Sequence, residues 1–264
     1  MEMRAVRGAC LLVLTLALSV LLAAPAGAGQ VVKLRVGLTP EHLGAGTTIS
    51  FGFRIATPNG QVPPPLTALS LLYPANVGLV TSGLGLATCT PAALEADGPE
   101  ACPADSLMGR GSALVEIPVG PELIQETGQL TAWMAPVQNG HLSLLFFADG
   151  KAPVNAQLIF PAVVLDANVP FGGRLDTAIP VIPTLPEAPN AAVVQLRTTI
   201  GPQNITYYRH ERHRTIPYNP DGILLPPTCP HHGFPFAAAF TFLDGTHTTA
   251  HASVPCPTHT RGHH

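Results

Sequence analysis

Histidine and cysteine are the residues of this sequence best placed to do chemistry. Seven of the eleven histidines lie at or after position 231. His231 and His232 follow Cys229 by two and three residues, and His259 follows Cys256 by three. A Cys229–Cys256 bridge would bring these imidazoles together, and neutral imidazoles held that way can bind Zn²⁺ or Cu²⁺. His231, His232 and His259 are therefore the candidate metal ligands. The competing reading, which we prefer, is a polar tail beside a structural disulfide that holds no cofactor. His247 and His251 read as surface residues: four apart on one strand, they would stand about 13 Å from each other, too far to share an ion.

Other chemistry finds less support. No G-x-S-x-G nucleophile elbow occurs, and His210-Glu211-Arg212-His213 is one residue short of the H-E-x-x-H zinc motif. That segment lies in the charged run YYRHERHR, which reads as a solvated hairpin tip or loop. Its alternative use is contact with an anion or glycan, with Tyr207 and Tyr208 stacking and Arg209 and Arg212 supplying charge. Asp166, Asp176 and Asp221 could meet in space, but no spacing identifies a glycosidase pair. The chain is accordingly expected not to be an enzyme, and no catalytic residue is assigned.

The elements that would carry these residues begin with a leader. Arg4 and Arg7 precede the uncharged run Leu11 to Ala24, and Pro25-Ala26-Gly27-Ala28 follows with small residues. This is the three-part layout of a secretory signal peptide, expected over residues 1–28. The apolar core is short for a membrane-spanning helix, and no transmembrane segment is expected after cleavage. The expected location is secreted or extracytoplasmic. A formal net charge of −3 argues against nucleic-acid binding, which needs a basic field. Cys89, Cys102, Cys229 and Cys256 remain after processing. An even number in an exported chain reads as disulfides. Locality favours Cys89–Cys102 and Cys229–Cys256, worth about 3 and about 3.6 kcal/mol on a chain-entropy estimate.

Short apolar runs alternate with Gly, Pro and Asp-Gly along the rest of the chain. Strand periodicity marks Val31–Leu38, Ile49–Phe53, Leu66–Tyr73, Ser112–Val119, Leu130–Met134, Leu142–Ala148, Val154–Phe160, Val193–Ile200, Phe236–Leu243 and Thr246–Val254. Asp149-Gly150 and Asp244-Gly245 read as hairpin turns. With Phe147 and Phe242 they form a repeated F-x-D-G, a faint hint of duplication. Thr90 and Pro91 open a helical turn through Ala96, and Pro121–Thr127 is a second candidate turn. The pattern predicts an all-β, disulfide-stapled β-sandwich, immunoglobulin-like or related, with one or two short helical turns. It would fill residues 29–257 as one domain, or as two sub-sandwiches meeting near 179–190. Residues 258–264 would form a His-containing flexible tail.

The layout Cys89-Thr90-Pro91-Ala92-Ala93-Leu94, Gly98-Pro99, Cys102-Pro103, Ser106 and Gly109, followed by Tyr218, Pro220, Gly222-Ile223-Leu224-Leu225-Pro226, Cys229-Pro230 and Pro255-Cys256-Pro257, resembles a group of uncharacterised exported proteins of actinobacteria. The resemblance runs from about Leu71 to Pro257. It implies an extracytoplasmic β-protein and names no chemistry. The expected role is non-catalytic, binding or structural, with a partner at the cell envelope that the residues do not identify. A metal-binding exported protein and a hydrolase with a dispersed acidic site are the alternatives.

Overall fold

The computed structural model describes residues 29–78, 84–151, 155–184 and 189–257. The expected signal peptide and the tail with His259 lie outside them. Fourteen strands are present among the described residues: β1 Val31–Thr39, β2 Gly46–Ala56, β3 Leu66–Pro74, β4 Leu107–Val119, β5 Glu122–Gln138, β6 His141–Gly150, β7 Ala156–Asp166, β8 Phe171–Ala178, β9 Ala192–Ile200, β10 Tyr207–Glu211, β11 Arg214–Tyr218, β12 Ile223–Leu224, β13 Phe234–Phe242 and β14 His247–Val254. Among the described residues one α-helix, α1 (Pro91–Asp97), precedes two 3-10 turns. Thr90 caps α1 by accepting from the Ala93 amide at 3.2 Å, and Pro91 opens it, as the sequence predicts.

The all-β class with few helical turns holds. The strands, however, do not divide into the two facing sheets of a sandwich. They form one twelve-stranded sheet in the order β1-β2-β9-β4-β5-β6-β7-β8-β3-β13-β14, with β12 attached to β2; β10 and β11 pair separately. All the register pairs along this path are antiparallel. The sheet curls until its two ends meet and is nearly a closed barrel. At the seam, Thr248 Oγ donates to the Gln30 carbonyl at 3.0 Å and Thr246 Oγ to Gln30 Oε1 at 2.9 Å. Alternating apolar residues predict a half-buried strand equally well in a sandwich and in a barrel, which is why the sequence did not separate them. The strands on either side of 179–190 belong to this one sheet, and Ile182 and Ala191 bridge across the segment.

Curvature demands close approach between strands, and glycine supplies it on β4. A Cβ built on Gly109 would lie 1.9 Å from the Thr199 carbonyl oxygen of β9, and one on Gly111 would lie 2.4 Å from that of Arg197. Glycines of this kind mark bends in strongly curled sheets.

Two local expectations change. Asp149 and Gly150 are still inside β6, paired with Gln157 and Ala156, so the β6–β7 connection lies beyond them. Asp244-Gly245 is a true turn: Gly245 has φ 80°, and Asp244 Oδ1 accepts from the Thr246 amide at 3.0 Å. The two F-x-D-G copies therefore do not occupy equivalent places, which removes the hint of duplication. Pro121–Thr127 is not helical. Gly120, at φ 58°, and Pro121 form a two-residue turn between the partners Val119 and Glu122, and the rest of the segment is β5.

Both disulfides have the expected partners, with Cα separations of 5.1 Å for Cys89–Cys102 and 5.8 Å for Cys229–Cys256. They fit an oxidising, extracytoplasmic environment. Trp133, Leu145 and Phe147 sit on the outer face of β5 and β6, yet each is buried. They share one apolar cluster with Leu94 of α1, Cys89 and Cys102. The first stapled loop thus covers that outer face, and β6 reads as the continuous run LSLLFFA because both of its faces are dry.

Gly109→Ala is expected to destabilise the fold by about 1–3 kcal/mol, since the added methyl meets backbone rather than a movable side chain. Gly29→Ala, with no atom within 4 Å of the new carbon, serves as the control and should change little. Denaturant titration of both variants checks this.

Candidate functional site: an apolar cavity inside the barrel

Inward-facing residues of ten strands leave space at the centre of the barrel. The cavity measures about 200 Å³. Its wall includes Phe51 of β2, Leu71 of β3, Val115 of β4, Leu130 of β5, Phe146 of β6, Leu158 of β7, Leu175 of β8, Val193 of β9 and Phe236 of β13. The alternation of each strand aims these side chains inward. Eleven strands on one path explain the space. Eight strands give a barrel just wide enough for side chains to fill, and diameter grows with strand number. One end of the interior is sealed by Leu38, Val77, Ile223, Leu225, Phe234, Phe236 and Val254, with half-buried Cys229 packed against them. The second disulfide therefore braces that end.

Among the described residues, the polar side chains in the cavity wall are Tyr73, Glu126, Thr177 and Thr198. Both threonines have local partners: Thr177 Oγ donates to the Pro161 carbonyl at 2.8 Å and Thr198 Oγ to that of Arg110 at 3.2 Å. Burial, aided by the nearby Asp166 charge, holds the Tyr73 phenol above its ordinary pKa. Glu126 is 7 % exposed. It lies opposite Val115, which in turn pairs with Val193, and so it sits toward the end of the barrel where β6 gives way to β7. Gly128 and Leu130 continue the same inward row.

The residues singled out by the sequence fall elsewhere. His231 and His232 are exposed neighbours whose Nδ1 and Nε2 atoms lie 3.3 Å apart. His259 is outside the described residues, and among the described residues no group of three potential metal ligands forms. His247 and His251 are exposed on β14, as expected. Asp176 is on the outer surface, bound to Arg174 at 2.9 Å and accepting from Ser70 Oγ at 2.5 Å, so it does not face the cavity with Glu126.

Of the two readings, hairpin tip or loop, YYRHERHR takes the first: it forms the β10–β11 hairpin, with Arg212 in its turn at φ 56°. Its residues divide by burial. Tyr207 is fully buried. Its hydroxyl donates to the Leu107 carbonyl and accepts from the Gly85 amide at 3.2 Å, fastening the hairpin to the start of β4. It is an anchor and presents no surface to a ligand, which corrects the reading of Tyr207 as a contact residue. Tyr208 and Arg212 are exposed. Arg209 pairs with Glu211 at 2.9 Å and lies over the Tyr218 ring, 5.7 Å from its centroid.

Sequence reasoning missed the cavity and Glu126. The inward apolar residues carry the same signal as a filled core, and PELIQET resembles a helical turn. The signal that could have found Glu126 was a lone acid in the inward register of a strand hairpin. Compared with known protein families, curated proteins and solved structures, the chain gives no match in any of the three.

Burial pushes the Tyr207 phenol up to about 12 from an ordinary 10.0. Folding favours its neutral form, so its contribution to stability is intact below pH 10 and is lost as pH rises toward about 12. Tyr207→Phe should cost about 1–3 kcal/mol at neutral pH by stripping the Leu107 and Gly85 groups of a partner. It should also flatten the fall of Tm between pH 10 and 12 relative to the native chain, which thermal melts across that range check.

Proposed function

We propose that the protein is an exported, non-catalytic binding protein that holds a small apolar molecule inside its barrel, outside the cytoplasm at the cell envelope. The observation that supports this reading is the apolar cavity of about 200 Å³ walled by ten strands. An engineered cavity of about 150 Å³ lined by aliphatic and aromatic residues stays dry and takes up benzene or xenon, so a space of this size suits a single ring or a short chain. A filled core would be more stable, because empty volume costs contacts on every side. Retaining the space is reasonable if occupancy is its use. The two disulfides, the leader and the resemblance to exported actinobacterial β-proteins support an extracytoplasmic setting.

Calorimetry and thermal melts with toluene test the proposal. Saturable binding with a Kd at or below about 1 mM is expected, equivalent to about 4 kcal/mol, together with a rise in Tm. Ala148→Phe, which extends a wall residue of β6 into the space, should weaken toluene binding at least ten-fold while the barrel still melts cooperatively. Absence of saturable binding to the native chain would refute the proposal.

A further inference from the structure

Five of the eleven lysines and arginines that follow residue 28 stand on one outer face of the barrel: Lys33 and Arg35 of β1, Arg54 of β2, Arg197 of β9 and Arg110 of β4. All five are exposed. Leu34 and Phe53 pack in the core, and Leu196 and Ala113 line the cavity, so strand alternation turns the bases outward. The ladder sets them side by side. Lys33 pairs with Arg54, Arg35 and Arg197 flank Gly52, and Arg110 pairs with Thr199, the next outward residue of β9 after Arg197. The band covers three strand spacings, about 14 Å. Fifteen Asp and Glu follow residue 28, yet these four strands hold one of them, Glu116. It lies toward the other end of β4 from Arg110 and accepts from Gln125 at 2.9 Å. Among the described residues the ion pairs are Lys151–Asp149, Arg174–Asp176 and Arg209–Glu211, so none of the five is paired.

Like charges placed opposite each other destabilise a sheet. A chain that is acidic overall nevertheless gathers five uncompensated cations here, which concentrates a positive field on one face. We infer that this face docks a linear polyanion with phosphates along its backbone, lying across β1, β2, β9 and β4. Four of the five bases are arginines, whose guanidinium holds a phosphate through two parallel hydrogen bonds. Gly37, Ser50, Gly52, Ser112 and Thr199 stand between the cations and let an extended chain lie close. Among these residues there is no aromatic ring for nucleobases to stack on and no large apolar side chain to enter a lipid surface, which favours a bare phosphate polymer over either. The inference is independent of what the cavity holds.

The test titrates the full mature chain with inorganic polyphosphate at several salt concentrations. If all five bases engage, log K should fall with log[salt] at a slope of about −3.5, taking the single-strand value of about −0.7 per phosphate. Arg54→Gln/Arg197→Gln should weaken binding at least ten-fold and shrink the slope by about 1.4. Arg212→Gln/Arg214→Gln, on the β10–β11 hairpin, removes the same charge elsewhere and should leave affinity within two-fold of native. The Tm of Arg54→Gln/Arg197→Gln should match or exceed that of the native chain, because relief of the repulsion between Lys33 and Arg54 is stabilising in the free protein. Lys33→Gln/Arg35→Gln carries the test if that variant does not fold. No saturable binding by the native chain, or an equal loss in the hairpin variant, would overturn the inference. So would binding to phosphatidylglycerol vesicles that is as tight per phosphate as binding to polyphosphate, since that would make the partner a lipid surface.

Discussion

The width of the barrel governs the rest of this structure. Eleven strands hydrogen-bonded along one path cannot lie flat, because strands twist and the ends of a sheet seek partners. Once curled, they enclose more space than their side chains occupy. Phe51, Phe53, Phe240 and Phe242 fill the region between β2 and β13 near the seam, with Phe53 and Phe240 packed edge to face at 5.0 Å. The opposite wall, from β4 to β8, is not reached by these rings, and the cavity lies in between. Gly109 and Gly111 belong to the same constraint, since the bend of β4 against β9 leaves no room for a Cβ.

A wide barrel also needs its openings and outer faces managed. The outer face of β5 and β6 is apolar and would be a liability if bare. The Cys89–Cys102 loop covers it, with Leu94 of α1 set into the cluster. Tyr207 then ties a separate hairpin to that region through Leu107 and Gly85. The Cys229–Cys256 bridge joins the segment entering β13 to the one leaving β14, beside the apolar plug that seals one end. Each disulfide therefore supports a cover over apolar surface. The tyrosine that looked like an exposed stacking residue is part of the same fastening.

Much of the local structure was legible in the residues. Alternation located β1, β2, β3, β6, β9, β13 and β14 within a few residues, and Thr90-Pro91 located α1. Cysteine spacing gave both disulfides. What failed depends on longer range. β8 escaped notice because Phe171-Gly172-Gly173-Arg174 offers almost no alternation, and its place between β7 and β3 comes from pairing alone. Asp149-Gly150 has the composition of a turn but is held in β6 by the ladder to Gln157 and Ala156. Whether apolar strands form two sheets or one closed sheet is decided by which edges meet, and no window of sequence contains that. The candidate site was hidden for the same reason: its wall exists only when ten strands stand around one space.

The central claim is that the barrel holds an apolar space rather than a packed core. Solving a crystal structure under xenon pressure addresses this most directly, because xenon enters dry apolar cavities without needing a hydrogen bond. The account predicts ordered xenon inside the barrel, in contact with Leu130, Phe146, Leu158 and Leu175. An interior closed by side chains from β4 to β8 against β2 and β13, with no xenon among them, would contradict it.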